Sequence, residues 1–111
     1  MRTAEERRRF LEAAKAAYNA GAEAARKHAA DDGTCCLDYV VLYMRHGSKD
    51  AVSLLGLAGF RAYLRKRGEV HISTPFGGQA MRRTAAVEAI SAALNEAQID
   101  DMHAYVRYVT D

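Results

Sequence analysis

The stretch Phe60-Arg61-Ala62-Tyr63-Leu64-Arg65-Lys66-Arg67-Gly68-Glu69-Val70-His71-Ile72-Ser73-Thr74 decides the fold. Its first six residues alternate apolar with basic or polar, and its last six do the same, which is the period of strands half buried against a core. Lys66-Arg67-Gly68 between them turns the chain, so the stretch predicts an antiparallel hairpin. Alternation puts Phe60, Ala62, Leu64, Val70 and Ile72 on the core side. It puts Arg61, Tyr63, Arg65, Glu69, His71 and Ser73 on the other.

Moving outward toward the N-terminus, Ser48 is placed to cap a short helix carrying Ala51, Val52, Leu54, Leu55 and Leu57, closed by Gly59. Before it, residues 36–44 are rich in β-branched and aromatic residues and apolar on both alternating faces apart from Asp38, as in a central strand. On the other side of the hairpin, residues 79–97 carry Val87, Ile90, Leu94 and Ala97 on one helical face. Residues 102–109 form a fourth strand, adding His103, Tyr105 and Arg107 to the polar face if Ala104 and Val106 point inward.

The order strand, helix, strand, strand, helix, strand is the ferredoxin-like βαββαβ arrangement, an α+β fold. It predicts a four-stranded antiparallel sheet in the order 4-1-3-2 with both helices on one face.

A long helix precedes this core. Thr3-Ala4-Glu5-Glu6 has the form of a capping box, and the alanine-rich run after it continues to about Ala30, before Asp31-Asp32-Gly33. Phe10, Leu11, Ala14, Ala17, Tyr18, Gly21, Ala25 and His28 form one stripe of mostly small residues. Two readings are open: the stripe lies on the rest of the domain, or it pairs with a second copy or a partner helix. The apolar second face of the first strand offers the helix a place to lie. The chain is therefore expected to be one domain, with an N-terminal helix over residues 1–31 and a ferredoxin-like core over residues 35–111.

With 111 residues, 50% hydrophobic and 27% charged, at a net charge of +2, the chain is too short for a multi-domain enzyme and too apolar for a disordered one. No stretch is apolar enough to span a membrane, and the charged N-terminus has no signal-peptide core, so a soluble cytoplasmic protein is expected. Cys35 and Cys36 are adjacent, too close for an ordinary disulfide, and His28, His46, His71 and His103 stand singly. No metal, no cofactor and no catalytic constellation is expected. Asp38 reads as an edge-exposed or capped carboxylate before a general base.

The charge is polarised. Residues 45–83 hold eight Lys/Arg against two Asp/Glu, and residues 84–111 hold one against five. Arg7-Arg8-Arg9 is balanced by Glu5, Glu6 and Glu12 at helical spacing and reads as a solvated helix face. The candidate binding residues are Arg61, Tyr63, Arg65, His71, Tyr105 and Arg107, basic groups interleaved with rings as in single-stranded RNA recognition. The third strand, however, offers Glu69 and His71 where an RNA-recognition motif has rings. Thr74-Pro75-Phe76-Gly77-Gly78-Gln79 leading into Arg82 and Arg83 is a second candidate, an anion cradle or a plain connection.

Gly33-Thr34-Cys35-Cys36-Leu37-Asp38, Gly77-Gly78-Gln79-Ala80-Met81-Arg82-Arg83-Thr84 and Tyr105-Val106-Arg107-Tyr108 resemble segments of small uncharacterised accessory proteins of bacterial phages and conjugative elements. The resemblance covers about the last eighty residues. It implies a mobile-element origin, a setting in which inhibitors of CRISPR systems are a prominent class acting by binding alone. The expectation is a non-enzymatic binding protein of this kind, an anti-CRISPR inhibitor on a protein or ribonucleoprotein surface. The alternative is a nucleic-acid-binding domain using the basic, tyrosine-rich sheet face. Homodimerisation through the N-terminal helix or the sheet is compatible with both.

Overall fold

The computed structural model describes residues 3–27, 38–73, 81–99 and 101–109. In chain order the elements are α1 (Ala4–Lys27), β1 (Tyr39–Met44), α2 (Ser48–Ala58), β2 (Arg61–Lys66), β3 (Glu69–Ser73), α3 (Met81–Glu96) and β4 (Met102–Arg107). The cysteine pair, His28, the end of the first helix and the Thr74–Gln79 segment lie outside the described residues. The fold is mixed α+β, with three helices and one antiparallel sheet. Its strands lie in the order β2-β3-β1-β4, which is 4-1-3-2 from the opposite edge. No helix among the described residues is long and apolar enough to cross a membrane.

Alternation delivers the core as its period requires. Val40, Leu42 and Met44 of β1, Val70 and Ile72 of β3 and Ala104 of β4 face Leu54 and Leu55 of α2 and Val87, Ile90 and Leu94 of α3. Phe60 sits just before β2 and is buried with them. Leu57, the last apolar residue of the predicted short helix, is 72% exposed. It stands six residues after Ala51, off the face that Ala51, Leu54 and Leu55 share at three- and four-residue spacing.

The first helix is not on the second face of β1. Instead α1 packs along α3 and against α2, burying Phe10, Ala13, Ala14, Ala17, Gly21 and Ala25 on the helical side of the sheet. Small residues let one helix approach two others closely, so the stripe is used within the chain. At its start the Glu6 amide donates to Thr3 Oγ1 at 3.0 Å, as the capping box predicts.

Ser48 does not cap α2. Gly47 holds the cap position at φ 83° with no side-chain bond, and the buried Ser48 Oγ accepts from the Gly68 amide at 3.3 Å, tying α2 to the β2–β3 turn. Gly59 does close α2: its amide reaches Gly56 O and the next, Phe60, reaches Leu55 O. Strand β4 ends two residues before its expected end, because the Val109 amide donates to Asp38 Oδ1 at 2.8 Å and leaves the ladder. The outer edge of β4 is covered by Asn95, whose side chain accepts from Ala104 N at 2.8 Å and donates to Ala104 O at 2.7 Å.

Gly59 joins two constraints at one position. Its φ is +109°, and a Cβ there would lie 2.8 Å from the ring of Tyr18, which itself packs edge-on against Phe60 at 5.4 Å. Gly59→Ala is expected to destabilise the fold by about 1–3 kcal/mol, read as a lower urea midpoint. An unchanged midpoint would show that α1 is not seated on the α2–β2 corner.

Candidate functional site

With the three described helices on one side, no described helix packs on the other side of the sheet. The register builds it in rows across the strands. Tyr63 pairs with His71, His71 with Val41, and Val41 with Tyr105. One step toward the β2–β3 turn, Lys66 pairs with Glu69, Glu69 with Tyr43, and Tyr43 with His103. At the opposite end Arg61 pairs with Ser73, and Tyr39 with Arg107. Six rings thus share one face, with arginines toward its edges.

The rings are mutually ordered. Tyr43 and Tyr105 stack with centroids 5.4 Å apart and hydroxyls 3.1 Å apart, and His103 stacks on Tyr105 at 6.5 Å. His71 lies between Tyr39 at 5.0 Å and Tyr63 at 5.2 Å. Tyr43 and Tyr63 remain exposed, at 42% and 54%. Val41, at the centre, is 1% exposed although none of the described helices packs on this face.

His71 links a hydroxyl to a carboxylate. Its Nε2 is 2.8 Å from Glu69 Oε2 and its Nδ1 is 3.1 Å from the Tyr63 hydroxyl. An ionised carboxylate only accepts, so Nε2 carries the hydrogen, and on the neutral ring Nδ1 accepts from Tyr63. The bond from His71 holds the Glu69 carboxyl below its ordinary range, aided by nearby Lys66. The Tyr43 hydroxyl is pushed up to about 12, first by its bond with Tyr105, then by burial and by Glu69. Tyr108, bonded to Glu88 at 2.6 Å, also ionises less readily.

Of the two settings expected for Asp38, edge-exposed or capped, the structure gives the second: it is buried, 2% exposed, and hydrogen-bonded. Its carboxylate accepts from Thr84 Oγ1 at 2.7 Å and from Val109 N at 2.8 Å, and its carbonyl accepts from Arg83 Nε at 2.9 Å. It therefore ties the start of β1 to the start of α3 and to the chain after β4. Through Arg83 it also fixes a guanidinium at the margin of the open face. Beside it is a cavity of ≈ 320 Å³ lined by Tyr39, Tyr63, Arg65, His71, Ser73 and Arg83. A cavity of ≈ 570 Å³ near His46 and Lys49 includes the Asp50 carboxylate and the apolar Leu64, and it lacks the ring array.

Of the residues singled out from sequence, Arg61, Tyr63, Arg65, His71, Tyr105 and Arg107 all belong to strands of this sheet, and Arg83 joins Tyr63, Arg65 and His71 at the smaller cavity. Arg82 does not line it; its Nε is buried without a hydrogen-bond partner among the described residues. Sequence reasoning missed Tyr39 and Tyr43. The period through Tyr39, Val41 and Tyr43, aligned with the alternation of the neighbouring strands, was the signal for them. Comparison with protein-family models, with curated proteins and with solved structures gives no match.

The Glu69 carboxyl is expected to titrate by NMR below the usual glutamate value of about 4.3, and His71→Phe is expected to raise it. A carboxyl lowered in the folded state stabilises above its unfolded value, and that contribution is lost as pH falls through the folded one. An unshifted wild-type midpoint would show that the His71 bond is not formed. Asp38→Ala is expected to lower stability by about 1–3 kcal/mol in urea unfolding, since it strips acceptors from two half-buried donors. A loss within error would mean that Asp38 does not anchor these segments.

Proposed function

We propose that this protein is a non-enzymatic binding module of ferredoxin-like arrangement whose open sheet face holds single-stranded nucleic acid. The observation that carries the reading is the ring array on the face that α1 leaves free: Tyr43 and Tyr63 exposed, with Tyr39, Tyr105, His71 and His103 ordered around them. Aromatic side chains stack unpaired bases whatever their sequence, and guanidinium groups such as those of Arg61, Arg65 and Arg107 meet the phosphates between them. A duplex, with its bases stacked inside, has nothing to offer these rings. The succession βαββαβ with strand order β2-β3-β1-β4 supports the ferredoxin-like reading.

A second reading is an inhibitor occupying a protein or ribonucleoprotein complex, as an anti-CRISPR protein of a phage or mobile element does. Its support is the polarised charge, eight Lys/Arg against two Asp/Glu over residues 45–83 and one against five over residues 84–111. Such polarity steers docking on a surface of complementary charge. We rank it second because the face it leaves unexplained is the one with organised rings.

Fluorescence anisotropy with short unstructured oligonucleotides separates the two. Binding is expected to weaken with salt, and Arg61→Gln or Arg107→Gln is expected to reduce the logarithmic salt slope by about 0.7 each. Tyr63→Ala is expected to weaken binding by roughly five- to 150-fold, the equivalent of about 1–3 kcal/mol for one stacked base. No binding of bare oligonucleotides at physiological salt, together with co-purification of a defined protein complex, would favour the second reading.

A further inference from the structure

The cavity beside Arg83 differs from the rest of the face in its chemistry. Two guanidinium groups converge on it from separate elements, Arg65 from β2 and Arg83 from α3, and Tyr39 and Ser73 add hydroxyls, that of Tyr63 being given to His71. No carboxylate lines it among the described residues; Glu69 is turned to the far nitrogen of His71 at 2.8 Å. Arg83 is held through Nε by the Asp38 carbonyl, leaving its terminal nitrogens to a ligand. Arg65 forms no ion pair with the described residues. The rings of Tyr39 and Tyr63 flank His71 at 5.0 and 5.2 Å, so the donors stand beside a flat aromatic surface.

We infer that this cavity is a phosphomonoester site, which seats the terminal phosphate of a nucleotide and stacks its base on the adjoining rings. Charge matching selects the monoester. A phosphate within a strand carries one negative charge, whereas a terminal one carries about 1.5 to 2 and presents three free oxygens to forked donors. Two guanidinium groups, that of Arg83 fixed by the Asp38 carbonyl, with no carboxylate among the described lining residues, fit the second. The volume of ≈ 320 Å³ is near the lower bound of ligand cavities, about 300 Å³, and admits a nucleotide end but not a run of nucleotides. The inference deepens the nucleic-acid reading and depends on it only for the strand attached to that phosphate.

The test compares one short oligothymidylate carrying a 5′-phosphate, a 3′-phosphate or hydroxyl ends, alongside adenosine monophosphate and adenosine, on the full chain. One of the phosphorylated strands is expected to bind about tenfold tighter than the hydroxyl-ended strand. The monophosphate, unlike adenosine, is expected to raise the melting temperature. In Arg65→Gln, where no bond to the described residues is lost, the tenfold ratio is expected to fall to near one and the monophosphate shift to vanish. Arg83→Gln, checked for its fold by circular dichroism, is expected to do the same. Strands that bind equally well whatever their ends, with no monophosphate effect, would overturn the site and leave the wider face standing. A monophosphate effect lost in Arg65→Gln, without binding of any strand, would support the site and overturn the wider face. An advantage that survives Arg65→Gln would overturn the assignment to this cavity.

Discussion

The three described helices all lie on one face of the sheet, and on the second face cross-strand rings shield the centre. Val41 shows how this is done. It is as buried as the core residues Val40 and Leu42, yet it points away from the helices, and its cross-strand neighbours are His71 and Tyr105. Side chains directly opposite on adjacent strands lie close enough to shield one another when they are rings. The ring array is therefore part of the fold as well as a surface for a ligand. Rings already held by stacking and by hydroxyl bonds lose little conformational freedom when something lies on them, and that freedom is a main cost of binding.

The distribution of helices follows in turn from the composition of α1. Ala13, Ala14, Ala17, Gly21 and Ala25 let it approach α2 and α3 closely, and Phe10 is the one large side chain it buries there. A stripe of leucines would hold three helices apart. Tyr18 marks the tight corner of this layer, its ring against Phe60 and over Gly59, the residue that ends α2 in a left-handed conformation. The openness of the far face thus traces back to alanines on the near one.

These links explain what was legible in the sequence. The hairpin of residues 60–74, its facing and the helical stripes were readable because each rests on a local period. The destination of α1 was not, since a stripe of small residues says that something comes close without saying what. Tyr39 and Tyr43 were hidden because β1 is central and its apolar face and ring face both look nonpolar. Arg65 was placed by strict alternation, while the ladder shifts register between Leu64 and Lys66, so that Lys66 is the residue opposite Glu69. Asp38 was visible as an oddity, but its partners Thr84 and Val109 lie 46 and 71 residues away, beyond the reach of any local pattern.

Glu69 is the residue that fits a polyanion surface least, and its position gives the face a direction. It lies at the turn end of β3, paired across the strands with Lys66 and Tyr43 and bonded to His71. Arg61, Arg107 and Arg83 gather at the opposite end, around Ser73 and Tyr39. A strand of phosphates lying across the middle of the sheet would meet the carboxylate. One that crosses at the Ser73 end keeps its charge beside guanidinium groups, with its bases free to turn inward over Tyr63 and Tyr105. Bonding to His71 limits the field of Glu69 without removing it, since on the neutral ring the carboxylate keeps its charge. Repulsion at one end and attraction at the other therefore orient an anionic ligand along a single edge of the ring array.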